Sequence, residues 1–205
     1  AGGMMCAIEA AKPGRTVLVL DHPAAPGEKI RISGGGRCNF TNLNVGAENF
    51  VSRNPHFAKS ALARYTPQHF IELVRRHKIP YYEKKLGQLF CRESSKQIVA
   101  MLMAECEAGR VQVRSACSVE KVEKDGETFH VSTNQGEFES GNLVVATGGL
   151  SFAKVGATDL GYRIARQFGL KIIETRPSLV PLVFAGEAFR ELAGVSVDSL
   201  VTANG

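Results

Sequence analysis

The chain has 205 residues, 44% hydrophobic and 22% charged, the balance of a folded globular protein rather than a fibrous or disordered one. Its net charge of +5, from 25 Lys+Arg against 20 Asp+Glu, suits an anionic ligand without demanding nucleic acid. Five cysteines (Cys6, Cys38, Cys91, Cys106 and Cys117) are odd in number and form no C-x-x-C pair, which argues against a structural zinc site and a disulfide framework and for a reducing, cytoplasmic compartment. No apolar run approaches the roughly 20 residues of a membrane helix, and no signal-peptide pattern is visible.

Met4, Ala7, Ile8 and Ala11 recur at helical spacing, which predicts a helix over Gly3–Lys12 stopped by Pro13-Gly14. Val17-Leu18-Val19-Leu20 reads as a buried parallel strand with Asp21 at its carboxyl end. Helix, turn, strand and acid form the second half of a βαβ dinucleotide-binding unit. Gly2 stands where the last glycine of the G-x-G-x-x-G fingerprint belongs, and Asp21 lies 19 positions on, close to the expected ~20. The fingerprint's first two glycines and the strand before them are not in this sequence.

Next comes Lys29–Asn42, K-I-R-I-S-G-G-G-R-C-N-F-T-N. Three glycines permit positive φ and close backbone approach, while Lys29, Arg31 and Arg37 supply positive charge and Ser33, Asn39, Thr41 and Asn42 short polar groups. That composition fits a loop wrapped around an anionic or heteroaromatic ligand, or a flexible surface loop. Together, A-G-x-M-x-A-x-E-A, V-L-V-L-D and G-E-K-I-R-I-S-G-G-G-R-C-N-F-T-N resemble a bacterial FAD-binding oxidoreductase family. That family includes aminoacetone-oxidase-like proteins and flavoprotein reductases of bile-acid dehydroxylation. The resemblance covers essentially the whole chain, and the family's proteins are longer at both ends. It implies an α/β class: a Rossmann-like, two-dinucleotide-binding-domain flavoprotein fold with a small antiparallel meander. An FAD-binding domain would span 1–176, with an inserted domain beginning over 177–205.

Asn54–Tyr65 and Pro67–His77 read as helices, the second capped by Thr66 and ended by Arg75-Arg76-His77-Lys78, cations favourably placed at a helix C-terminus. Tyr81–Lys84 and Gln88–Phe90 read as short strands. Ser94 or Ser95 caps a helix reaching Glu107, with Ile98, Leu102 and Cys106 on one face. From Val111 the period becomes two, through Val113, Val119, Val122, Phe129, Val131 and Phe138, with turns at Asp125-Gly126 and Gln135-Gly136. This predicts a small antiparallel meander. Leu143–Ala146 reads as a further buried strand, leading to Thr147-Gly148-Gly149. Gly156–Tyr162 leads into a helix ending near Phe168-Gly169 and is similar to a G-x-T-G-x-G segment of fumarate-reductase-type flavoproteins, with Asp159 in place of the middle glycine. Pro177 and Pro181 bracket an extended segment.

The resemblance implies FAD as cofactor and NAD(P)H as a candidate electron donor. The cofactor-lining set it implies is Gly2, Asp21, Lys29, Ser33, Gly34, Gly35, Gly36, Arg37, Cys38, Asn39, Thr41, Asn42, Val119, Ala146, Thr147, Gly148 and Gly149. Cys38 reads more simply as a small packing residue than as a redox thiol. His22, His56, His69, His77 and His130 are scattered without ligand spacing, and no metal site or side-chain catalytic constellation stands out. The leading reading is an FAD-dependent oxidoreductase acting on a small organic substrate. A flavin-dependent RNA-modifying protein and a non-catalytic nucleotide-binding fragment are the alternatives. Against nucleic acid as a partner stand the absence of Trp, 7% aromatics, and basic residues not interleaved with aromatics along one element, although the pI is about 9.0. Substrate, catalytic residues and oligomeric state stay open.

Overall fold

The computed structural model describes residues 1–151, 155–177, 190–192, 195, 200 and 202. Pro181 and most of 177–205, the expected start of an inserted domain, lie outside the described residues. One compact unit spans Ala1–Leu170 and a second Lys171–Gly205, in which Arg176 pairs with Glu174 at 3.0 Å.

Helix α1 (Gly2–Ala11) buries Met4, Ala7, Ile8 and Ala11, and strand β1 (Leu18–Leu20) follows. Helix α5 (Lys96–Ala108) supplies the other wall of the main core through Ile98, Val99, Met101, Leu102 and Cys106. Beside it, β1 pairs in parallel with β5 (Gln112–Arg114), Val19 opposite Val113. The chain from β1 to β5, which includes α5, is thus a crossover connection, and Gln112–Arg114 belongs to this parallel pair rather than to the meander. The meander itself is β6 (Val119–Asp125), β7 (Thr128–Thr133) and β8 (Gly136–Ser140), antiparallel in chain order. A second small core forms where Val122 and Val131 meet Ile164 of α6 (Leu160–Gln167).

Lys29–Asn42 is not one continuous loop. Gly27, at φ 79°, starts helix α2 (Glu28–Ile32), and a Cβ there would lie 2.8 Å from Val99 Cγ2. A glycine is therefore required for α2 to pack this closely on α5. Glu28 in its first turn and Lys29 and Arg31 in its last complement the helix dipole. The chain then makes a 3-10 turn over Ser33–Gly36 and enters β2 (Asn39–Asn42). Strand β4 (Gln88–Cys91) lies between β2 and β3 (Tyr81–Glu83), antiparallel to both.

Two further expectations are corrected. Helix α3 covers only Lys59–Arg64, because the Asn54 side chain accepts the His56 N–H at 3.0 Å and holds the preceding residues in a turn. Helix α4 (Pro67–Arg76) starts at Pro67 as expected, with His69 Nδ1 accepting the Thr66 N–H at 3.0 Å. Leu143–Ala146 forms no strand: Val144 is 65% exposed, and no described strand offers it a partner. Its apolar composition matched a buried strand, but a strand needs a neighbour to satisfy its backbone groups.

Candidate functional site

The first cluster lies where α1 begins and β1 ends. A Cβ built on Gly3 would touch Ala146 Cβ at 3.5 Å, while one on Gly2 meets nothing within 4 Å. The segment after β8 therefore returns to the start of α1. A ten-residue helix concentrates partial positive charge there, where its first N–H groups lack partners.

Asp21 is half-buried, and its backbone is fixed from both sides. Its N–H donates to Arg114 O at 2.9 Å and its carbonyl accepts the Cys117 N–H at 3.0 Å. Burial raises its carboxyl above the usual range, and the neighbouring His22 opposes that shift. His22 Nδ1 stands 3.9 Å from Asp21 Oδ1, and its Nε2 is where a Cβ on Gly156 would fall. Reading the sequence gave His22 no role; the structure seats it between the strand-end acid and Gly156. No sequence signal marks that position.

Lys29 Nζ donates to Ser151 Oγ at 2.5 Å, tying α2 to the chain just after Gly149. Gly149 faces Tyr162, and Gly161 sits against Thr147 and Val145, so Thr147–Gly149 passes beside the start of α6. Ala146, Thr147 and Gly148 are exposed. Ser151 was not singled out from the sequence.

The second cluster is the glycine turn. Gly34, Gly35 and Gly36 have φ of 57°, 64° and 81°. Gly34 is packed: a Cβ would lie 2.7 Å from Asn39 N and 2.8 Å from Phe90 Cε1. At Gly35 and Gly36 nothing stands within 4 Å. The turn is braced from behind, since Gly36 O accepts the Ser95 N–H at 2.8 Å and Arg31 O accepts the Ser95 hydroxyl at 2.7 Å. Ser33 Oγ is spent on Ile30 O at 2.8 Å.

Several expected site residues are also built into the scaffold. Cys38 is buried at φ 50°, and burial pushes its thiol up. Cys91 beside it is pushed up to about 11 by burial, with Cys38 adding to the shift. Asn42 donates to Leu86 O at 2.9 Å and accepts the Asn44 N–H at 2.8 Å, holding the turn opposite Gly87. Thr41 and Asn39 belong to β2, with Thr41 opposite Leu89 and Asn39 opposite Phe90. Val119 packs in the second core with Leu20, Leu143 and Leu160. Arg37 is exposed and donates to the Tyr82 hydroxyl at 3.4 Å.

The two clusters are continuous through α2, whose Lys29 joins the first and whose end is the glycine turn. A dinucleotide fits this donor set. A helix N-terminus suits a pyrophosphate, a strand-end carboxylate suits ribose hydroxyls, and unobstructed glycines suit a flat ring.

A family model described as the HI0933-like protein Rossmann domain matches residues 1–204. The ribosomal RNA dihydrouridine synthase of Escherichia coli K12 is 50% identical over 206 residues, covering 99% of this chain and 52% of that protein. The protein of the same name from Haemophilus influenzae is 46% identical, with 99% of this chain and 52% of that protein covered. The 3-dehydro-bile acid delta(4,6)-reductase of Clostridium scindens is 26% identical over 99% of this chain and 50% of its own length. The chain spans about half the length of these curated relatives. The expectation against nucleic acid is corrected here. Relatives at 50% and 46% identity carry a name that specifies ribosomal RNA, and the low aromatic content that argued otherwise is an average over the whole chain.

Proposed function

The chain belongs to the HI0933-like protein Rossmann-domain family, and from that premise we propose that it forms the flavin-binding part of an enzyme that reduces uridine to dihydrouridine in ribosomal RNA. The observation that carries this reading is the 50% identity along 99% of the chain to the Escherichia coli synthase. It replaces the small-substrate oxidoreductase as the leading reading, and the 26% identity to the bile-acid reductase fits a shared chemistry of reducing carbon–carbon double bonds.

Bound FAD, once reduced with NAD(P)H as the candidate donor, would supply a hydride to the pyrimidine 5,6 double bond, and a proton drawn from solvent would complete its conversion to a single bond. The chain's own residues bind and orient. Asp21 would accept hydrogen bonds from ribose hydroxyls, and the start of α1 at Gly2 would hold the pyrophosphate. Gly35 and Gly36 leave room for the ring on a turn that Ser95 holds in place. The Lys29–Ser151 bond ties α2 to the segment that follows Thr147–Gly149.

The test uses the full-length protein and a strain lacking its gene. Dihydrouridine in ribosomal RNA should disappear on deletion and return with the gene, and the purified protein should carry flavin whose absorbance bleaches with NADH or NADPH. Unchanged dihydrouridine in the deletion strain overturns the substrate; a protein without flavin overturns the cofactor.

A further inference from the structure

Positive charge is unevenly placed along the chain. Residues 51–100 hold ten lysines and arginines against three glutamates, net +7; the other 155 residues hold fifteen against seventeen, net −2. All ten of these cations are exposed. Among the described residues none of the ten has a carboxylate partner, whereas Lys12, Arg31, Lys121, Arg163 and Arg176 elsewhere each have one. Unpaired like charges repel one another, and a polyanion relieves that repulsion while releasing its own counterions.

Aromatic rings are placed among these cations in space, though not along one element. The Arg75 guanidinium lies 6.0 Å from the Tyr81 ring centroid, and its Nε donates to the Tyr81 hydroxyl at 2.9 Å. Lys84 Nζ is 5.4 Å from the Phe90 centroid, and Tyr82 stacks on Phe90 with centroids 6.0 Å apart. Phe57 is 77% exposed, beside Lys59. The series ends at the glycine turn, because the Phe90 ring edge is the neighbour that Gly34 accommodates and Arg37 reaches Tyr82. A lipid surface fits less well: α4 buries Ile71, Leu73 and Val74 in the protein and has no apolar face left to insert.

We propose that residues 51–100 form the RNA-docking surface, with phosphates held along Arg64, Arg75, Arg76, Lys84, Lys85 and Arg92, and that Lys84 and Tyr82, backed by the buried Phe90, lead the strand to the glycine turn. This rests on the RNA-modifying reading above. Phe57 is exposed and Tyr81 and Tyr82 are partly exposed beside cations, which suits an unpaired stretch of RNA, whose bases can stack while its backbone is neutralised.

The experiment compares two variants of the full-length protein with equal loss of charge. One carries Arg64→Gln, Arg76→Gln, Lys84→Gln and Lys85→Gln; the other carries Lys12→Gln, Lys121→Gln, Lys124→Gln and Arg163→Gln. Binding to deproteinised bacterial ribosomal RNA is measured against salt concentration, with circular dichroism and flavin content as checks on folding. The first variant should bind at least about tenfold more weakly near 0.1 M salt, with the log–log salt slope shallower by about 3, and the second should match wild type. Equal behaviour of the two variants overturns the surface while leaving the RNA reading standing. A wild-type protein with no salt-dependent binding to this RNA overturns both.

Discussion

Lys29 and Ser151 stand 122 positions apart in the chain and share a hydrogen bond of 2.5 Å. One belongs to the helix that ends in the glycine turn; the other follows directly on Thr147–Gly149 and Leu150. The bond makes one wall out of two distant segments. Both groups are solvent-accessible, so its energetic worth is small and its effect is mainly on position.

Replacing Ser151 by Ala should therefore leave the melting temperature close to wild type and weaken flavin binding about threefold to tenfold. Fluorescence titration of the full-length protein with FAD measures the change. Unaltered affinity would place the pair outside the cofactor wall.

The three glycines should separate by experiment. Gly34→Ala forces a Cβ against Asn39 N and Phe90 at positive φ, and should cost roughly 2–5 kcal/mol of stability from strain and overpacking. Gly35→Ala meets only the strain of positive φ, about 1–2 kcal/mol. Gly35→Val should stay folded and lose flavin, because its branched side chain fills the open space over the turn. Denaturant melts and flavin absorbance on the same samples distinguish the two effects; a Gly35→Val protein with full flavin content would make the turn a surface feature.

Asp21 should show opposite signs in two assays. Burial raises its folded-state pKa, so the carboxyl favours the folded state below the unfolded value of about 3.9 and loses that contribution as pH rises through the folded value. Asp21→Asn should then raise the melting temperature of the flavin-free protein at pH 7, with the gain fading toward pH 3. The same change should weaken FAD binding about tenfold. A melting temperature at pH 7 that does not rise would mean the burial cost is compensated in the native state.

Thiol accessibility offers a fourth check. Cys6 is exposed while Cys38, Cys91, Cys106 and Cys117 are buried, and the Cys91 thiol is pushed up to about 11. An aromatic disulfide reagent at pH 8 should label one thiol quickly and the other four only on unfolding. Cys6→Ser should abolish the fast phase. Rapid labelling of Cys38 in the native protein would revive a redox role beside the glycines.

The sequence by itself determined the elements whose signals are local. The apolar period of Met4, Ala7, Ile8 and Ala11, the Thr66-Pro67 helix start, and the alternation of Val122, Phe129 and Val131 between Gly turns each depend on neighbours a few positions away. Motif chemistry also singles out Gly2, Asp21 and the triple glycine. What lay beyond it depends on partners far along the chain. Leu143–Ala146 has a strand's composition and no strand to pair with, and Val113 joins β1 rather than the meander because α5 carries the chain back across. Which glycine is packed and which is open follows from the position of Phe90, and the joining of Lys29 to Ser151 follows from the return of the chain past Ala146. Composition averages over the chain, so 7% aromatics could not reveal Arg75 over Tyr81 or Lys84 over Phe90. Such pairings are set by packing and strand register, which no window of local sequence contains.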